Sequence, residues 1–193
     1  MREKELEDLI CEAPWCLDDD LVILGRQIKL PNGRMDVLAW DKAQEELCAI
    51  ELKVTKLKEA DLGQVMRYRT DLIHVLRGTL GWPTCERDAD LAWSDEYAFS
   101  EFVQPVLVGP AIDNNLLASM QGLSMSVYLY SITPDNYIEF NVVPYKLTGH
   151  DHRPFSAQPW AAKSLRLVQG ACSNRRNDEY VPFVEAFEEG RIE

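Results

Sequence analysis

The sequence predicts an α/β protein built on a mixed central sheet flanked by helices. Apolar side chains recur every three to four residues in some segments, as in helices, and every second residue in others, as in strands. Segments of the two kinds alternate along the chain. The predicted order is a helix, three strands, a helix, a strand, a short helix and further strands, which is typical of this class. With 193 residues and 46% hydrophobic content, the chain is long enough for one domain with a substantial core.

The first half of the chain begins with a predicted amphipathic helix over residues 3–13. Its apolar side chains are spaced three and four apart, and Pro14 ends the pattern. A strand over residues 21–30 then leads into a Pro-Asn-Gly turn, which favours a hairpin. Two more strands, residues 34–41 and 47–54, complete a predicted three-stranded antiparallel meander.

The second half returns to a helical pattern over residues 58–80, which Gly81 and Pro83 close. Residues 82–101 are acidic, and their apolar side chains show no clear helical or strand spacing. We therefore interpret them as an insertion whose role stays open. Strands are predicted over residues 102–109, 125–132 and 137–145, with a short helix over 114–120. We therefore predict a core of residues 1–147 and a C-terminal extension, residues 148–193, packed on that core with a short helix near its end.

Composition and charge limit the classes of function. No apolar stretch approaches the roughly 20 residues that cross a bilayer, and the charged start MREKELEDLI differs from a signal peptide, so we expect a cytoplasmic protein without a membrane partner. The five cysteines have no metal-binding spacing, and we expect them to be reduced. A formal net charge of -12 argues against general coating of nucleic acid, although it leaves room for a local basic track.

Three charged residues interrupt strands that are otherwise apolar: Asp36 in one strand, and Glu51 with Lys53 in the next. Alternation along a strand places Glu51 and Lys53 on the same face. Charges in central strands are costly unless they are paired or bound to metal. Two carboxylates with a lysine can hold Mg²⁺ beside a phosphate and activate water. The alternative is a buried salt-bridge network without activity.

The motifs resemble the PD-(D/E)XK nuclease superfamily, and more narrowly the C-terminal nuclease domain of NucS-type endonucleases. The resemblance covers roughly residues 3–70 and extends less clearly through the strands to about residue 143. It rests on four motifs in order, namely Glu-x-x-Leu-Glu on the first helix, Gly-Arg-Met-Asp and Ile-Glu-Leu-Lys on two strands, and Gln-x-x-x-Tyr on the next helix. It implies a restriction-endonuclease-like fold and hydrolysis of phosphodiester bonds in DNA.

The resemblance also implies roles for individual residues. Asp36 and Glu51 would be ligands of Mg²⁺ or Mn²⁺, the carbonyl of Leu52 would complete the metal shell, and Lys53 would be the catalytic lysine. The remaining implied site residues are Gln64 and Tyr68 on the second helix and Glu3 on the first, with Glu7 as the alternative to Glu3. Gln64 would contact phosphate or water, and Tyr68 would contact nucleic acid. Gln64 could instead be a surface polar residue, and either glutamate could be a solvated charge.

A basic edge is expected to border the site and to follow a phosphate backbone. Its members are Lys29, Arg34, Lys56, Lys58, Arg67 and Arg69. The leading hypothesis is therefore a magnesium-dependent deoxyribonuclease, with a possible homodimer as the working unit. The rival is a nuclease scaffold that has lost activity and binds nucleic acid or protein, which the acidic composition favours. The preferred DNA structure, and whether RNA is cut, stay open.

Overall fold

The computed structural model describes residues 1–81, 102–134 and 136–143, together with the backbone of residues 163–166. Ten helices and strands are found in these ranges, and a 3-10 turn at Pro14–Cys16 follows the first helix. They are α1 Glu3–Glu12, β1 Leu21–Leu30, β2 Gly33–Asp41, β3 Glu46–Leu52, α2 Glu59–Leu76, β4 Val103–Gly109, α3 Asn114–Ser119, β5 Ser126–Ile132, β6 Tyr137–Val142 and β7 Lys163–Arg166.

The strands of the described ranges form one mixed sheet in the order β1-β2-β3-β4-β5-β6-β7. The pairs β1–β2 and β2–β3 are antiparallel, which confirms the predicted meander. The pairs β3–β4 and β4–β5 are parallel. The first of these parallel pairings requires a crossover, and α2 lies in the connection between β3 and β4. The predicted α/β class with a mixed central sheet is therefore confirmed.

Two hydrophobic clusters cover the two faces of the sheet. One contains Leu6, Leu9 and Ile10 of α1, packed against side chains of the central strands. The other contains Val65, Tyr68 and Leu72 of α2, packed against the opposite face. Because β3 is buried along nearly its whole length between these clusters, a charged side chain on it is removed from water.

The bounds of the elements agree closely with the sequence-based ones, with three informative differences. Strand β3 ends at Leu52, so Lys53 lies just beyond it instead of within it. Helix α2 ends at Leu76, before the predicted end. The 3-10 turn and β7 were not predicted. Strand β7 lies within the segment interpreted as an extension and pairs with β6.

Several predictions concern residues outside the described ranges. These are the acidic insertion at 82–101, the short C-terminal helix, and the cysteines Cys85 and Cys172. Within the described ranges, no disulfide involves Cys11, Cys16 or Cys48. None of the helices described has the length and apolar character that crossing a membrane requires.

Candidate active site

The candidate site begins where the pairing of β2 with β3 ends. The antiparallel ladder between these strands runs as far as the pair Val37 and Ile50. Beyond this pair, a side chain takes over from the backbone ladder. The backbone N–H of Leu52 donates a hydrogen bond to Oδ2 of Asp36 at 2.8 Å. Asp36 is therefore fixed by the backbone of β3, at the point where the two strands diverge.

Glu51 is the most deeply buried charged group of this region, with only 1% of its surface exposed. Its Oε1 accepts a hydrogen bond from Nζ of Lys53 at 2.5 Å. Its Oε2 is also buried, yet finds no hydrogen-bond partner among the described residues. Lys53 itself is held by its backbone N–H, which donates to the carbonyl of Val108 on β4 at 2.8 Å. The site thus presents one buried carboxylate oxygen whose hydrogen-bonding capacity is unused.

The two carboxylates destabilise each other's charged forms. Burial, and then the charge of Asp36, raise the pKa of Glu51 to about 7. Burial also raises the pKa of Asp36, although the N–H of Leu52 opposes this shift. Burial alone would lower the pKa of Lys53, but the hydrogen bond and charge of Glu51 outweigh it, and the pKa is raised. One lysine therefore does not fully compensate the buried carboxylate of Glu51 together with the half-buried carboxylate of Asp36, and a further cation would be favoured here.

The donor set fits a hard divalent cation. Asp36 and Glu51 offer carboxylate oxygens, which are the ligands that Mg²⁺ and Mn²⁺ prefer, and the unused Oε2 of Glu51 is available for coordination. In the part of the chain that the structure describes, no three or more His, Cys, Asp or Glu side chains converge as a metal site. An ion held here would therefore take its other ligands from backbone, such as the carbonyl of Leu52, and from water. The metal roles of these residues stay a prediction.

Helix α2 contributes a chain of hydrogen bonds that ends on β2. The amide Nε2 of Gln64 donates to the hydroxyl of Tyr68 at 2.9 Å, and this hydroxyl donates to the carbonyl of Arg34 at 2.7 Å. A Cβ atom at Gly33 would lie 3.0 Å from the same hydroxyl, so glycine allows this close approach. Tyr68 is only 2% exposed. Its ring is therefore buried and its hydroxyl supports the backbone of Arg34, whereas direct contact of Tyr68 with nucleic acid stays a prediction.

Helix α1 brings two glutamates toward the site in different ways. Glu3 is exposed on the first turn, and its charge adds to burial in raising the pKa of Asp36. Glu7, one turn later, is 4% exposed, and its Oε2 accepts a hydrogen bond from Nε2 of Gln27 at 2.5 Å. The same nitrogen also donates to Oδ1 of Asp36 at 3.3 Å. Glu3 thus acts through its charge, whereas Glu7 is connected to Asp36 by hydrogen bonds.

Gln27 is absent from the sequence-based prediction. The signal that could have indicated it is a polar amide inside an otherwise aliphatic strand, LVILGRQIKL. This signal is weak, because a polar residue in an antiparallel strand usually faces solvent.

The tip of the β1–β2 hairpin carries two exposed cations. Lys29 and Arg34 face each other across the ladder. The turn between them is tied to α2, since the backbone N–H and the side-chain amide of Asn32 donate to the carboxylate of Asp71 at 3.0 and 2.6 Å. Like charges placed opposite each other on a sheet are unfavourable. An anchored turn that keeps them together is therefore a candidate anion-binding feature.

The other predicted basic residues are more varied in their surroundings. Lys56 forms an ion pair with Asp113 at 3.0 Å, and Lys58 is exposed at the start of α2. Arg67 is exposed on α2. Arg69 was expected on the same edge, but its Nε donates to the carbonyl of Val103 at 3.0 Å. Val103 begins β4, whereas Glu51 pairs with Leu107 near the other end of that strand. Arg69 therefore contacts the end of β4 that is distant from Glu51.

Fold and site together define an α/β protein with an Asp and a Glu-x-Lys at the diverging ends of adjacent strands. Two solved structures resemble it. One is a repair endonuclease from Pyrococcus abyssi, with a TM-score of 0.49 and 20% identity over 66% of this chain and 46% of that chain. The other is an EndoMS complex with dsDNA, with a TM-score of 0.39 and 23% identity over 61% of this chain and 40% of that chain.

This chain spans less than half the length of either structure. No family model matches the chain, and no curated protein matches it.

Proposed function

We propose that this protein is a metal-dependent endonuclease that hydrolyses phosphodiester bonds in DNA. The observation that carries the proposal is the buried, unused Oε2 of Glu51, which lies in one cluster with Asp36 and Lys53. A buried carboxylate with a raised pKa and a specific charge partner is typical of a functional site. A purely structural network would be expected to satisfy all its buried polar atoms.

Asp36, Glu51 and the carbonyl of Leu52 would hold the ion, Mg²⁺ or Mn²⁺. When bound, such an ion polarises a phosphoryl oxygen and lowers the pKa of a coordinated water. Lys53 is half-buried, and its ammonium already donates to Glu51. Next to a phosphate it would hold the attacking water in place and offset the negative charge that develops in the transition state.

The substrate would approach over the anchored hairpin. Lys29 and Arg34 are exposed there, and the carbonyl of Arg34 is fixed by Tyr68. Lys29 and Arg34 would contact the phosphate backbone, and such contacts position DNA without reading its sequence. For a protein with a formal net charge of -12, such a local pair of cations is the feature that makes DNA binding possible.

The direct test is cleavage of plasmid DNA by the purified full chain with Mg²⁺ or Mn²⁺, beside two variants. Glu51→Gln removes the buried carboxylate. Glu46→Gln makes the same change at the other end of β3 and serves as the matched control. We expect wild type and Glu46→Gln to nick DNA, and Glu51→Gln to be inactive.

Cleavage that persists in Glu51→Gln would contradict the proposal. Wild-type protein that binds DNA but cuts neither DNA nor RNA with any divalent ion would favour the second candidate, a catalytically idle scaffold. The strongly acidic composition is the observation in favour of that candidate.

A further inference from the structure

Gln27 lies in the middle of β1 with a backbone φ of 55°. This left-handed conformation is rarely adopted by residues other than Gly, Asn and Asp. Gln27 lies between Arg26, which pairs with Val37, and Ile28, which pairs with Met35, so it is opposite Asp36. An unusual backbone conformation therefore coincides with the proposed metal-binding carboxylate.

The left-handed residue changes the direction of the side chains that follow. In a regular strand, Arg26 and Gln27 would point to opposite faces. Here both reach α1, since Nη1 of Arg26 donates to Asp8 at 2.7 Å and Nε2 of Gln27 donates to Glu7 at 2.5 Å. Irregularities of this type are known to redirect side chains beside active sites.

The partner strand shows the same interruption. Val37 packs in the cluster on the α1 side of the sheet, whereas Met35 packs in the cluster on the α2 side. Residues two apart on a regular strand would share a face. Alternation is thus broken at Asp36 as well, which allows its carboxylate to reach both Gln27 and the N–H of Leu52.

The amide of Gln27 lies between two carboxylates. Its Nε2 group has two hydrogens, which suffice for one bond to Glu7 and one to Asp36. With Leu52 on Oδ2 and Gln27 on Oδ1, both oxygens of Asp36 are held in place.

We propose that Gln27 is a positioning residue that fixes the Asp36 carboxylate for metal binding. This inference rests on the proposed function, because it assumes that Asp36 is a metal ligand. Residues that orient a ligand in this way typically change metal affinity or activity by about 10- to 100-fold when they are replaced. The competing interpretation is that Gln27 merely fastens α1 to the sheet.

The variant Gln27→Asn separates these interpretations. Asparagine tolerates the left-handed conformation well, so the backbone is preserved, but its amide is one methylene shorter and cannot reach both carboxylates. The matched control is Asp8→Asn, which weakens the neighbouring bond between α1 and Arg26 without contacting Asp36. Mn²⁺ affinity is measured by electron paramagnetic resonance, and the melting temperature is measured in the metal-free proteins.

We expect Gln27→Asn to bind Mn²⁺ about tenfold more weakly than wild type, while Asp8→Asn binds as wild type does. If Gln27→Asn fails to fold, Gln27→Gly takes its place, because glycine accepts the left-handed backbone without strain. Equal Mn²⁺ affinity in Gln27→Asn and wild type would overturn the inference and leave the proposed function intact. Equal weakening in both variants would also overturn it, since it would show a role in helix attachment only. Wild type that does not bind Mn²⁺ would instead overturn the proposed function.

Discussion

Replacing Glu51 with glutamine should make the metal-free protein more stable at neutral and alkaline pH. Burial and the neighbouring Asp36 raise the pKa of Glu51 from its ordinary 4.5 to about 7 in the folded protein. Between these two values the folded state keeps a proton that the unfolded state has lost. The unfolding free energy therefore falls as the pH rises through this window, by up to about 1.4 kcal/mol per pH unit.

The expected total loss for wild type is about 3 kcal/mol between pH 4.5 and pH 7.5. The amide introduced by Glu51→Gln has no titrating proton, so the variant lacks this loss. The pKa of about 7 already includes the favourable interaction of Glu51 with Lys53, so at high pH the variant should be more stable than wild type by nearly this whole amount. Below pH 5 the two proteins should differ little, because Glu51 is then protonated and neutral in wild type.

Urea unfolding in the presence of a chelator, at pH 5, 6, 7 and 8, measures the difference between the two proteins. Other buried carboxyls with raised pKa values, such as Asp41, titrate in both proteins and largely cancel in the difference. A difference that stays constant across this pH range would refute the reasoning, because it would mean that Glu51 is charged throughout. A variant that is less stable than wild type at pH 8 would refute it as well.

Three further predictions concern other parts of the site. Lys53→Ala should retain metal binding but cut plasmid DNA on the order of a hundredfold more slowly, because it removes the group proposed to hold the attacking water and to offset negative charge; cleavage within threefold of wild type would contradict this. Tyr68→Phe should lower stability by about 1 kcal/mol in urea unfolding, since the Arg34 carbonyl loses its donor; an unchanged midpoint would mean that water replaces the hydroxyl. Replacing Lys29 and Arg34 together with glutamate should weaken DNA binding and reduce the slope of log affinity against log salt by about two units; an unchanged slope would place the DNA elsewhere.

Much of the fold could be predicted because the residues that determine it act locally. The Pro-Asn-Gly turn and the alternating apolar side chains define the β1–β2 hairpin. The charge of Glu51 stands out because it follows the apolar run of residues 47–50 in β3, and Lys53 lies just beyond the end of this strand. Their spacing of two residues places them side by side, and the structure joins them by a hydrogen bond.

What could not be predicted depends on departures from regular geometry or on contacts distant in sequence. The direction of the Asp36 side chain does not follow from simple alternation, because Met35 and Val37 on either side of it pack on opposite faces of the sheet. The bonds of Gln27 to Glu7 and Asp36 depend on a left-handed backbone that no local motif indicates. Burial of Tyr68 follows from the packing of α2 on the sheet, which the sequence pattern alone does not resolve.

The central claim, that Asp36 and Glu51 form a divalent-cation site, is tested most directly by calorimetric titration of Mn²⁺ into the metal-free protein. The account predicts saturable binding by wild type, and at least about tenfold weaker binding by Asp36→Asn and by Glu51→Gln because each variant removes a charged ligand. Lys53→Ala should bind at least as tightly as wild type. Absence of saturable binding by wild type at millimolar Mn²⁺, or equal binding by Glu51→Gln and wild type, would contradict the claim.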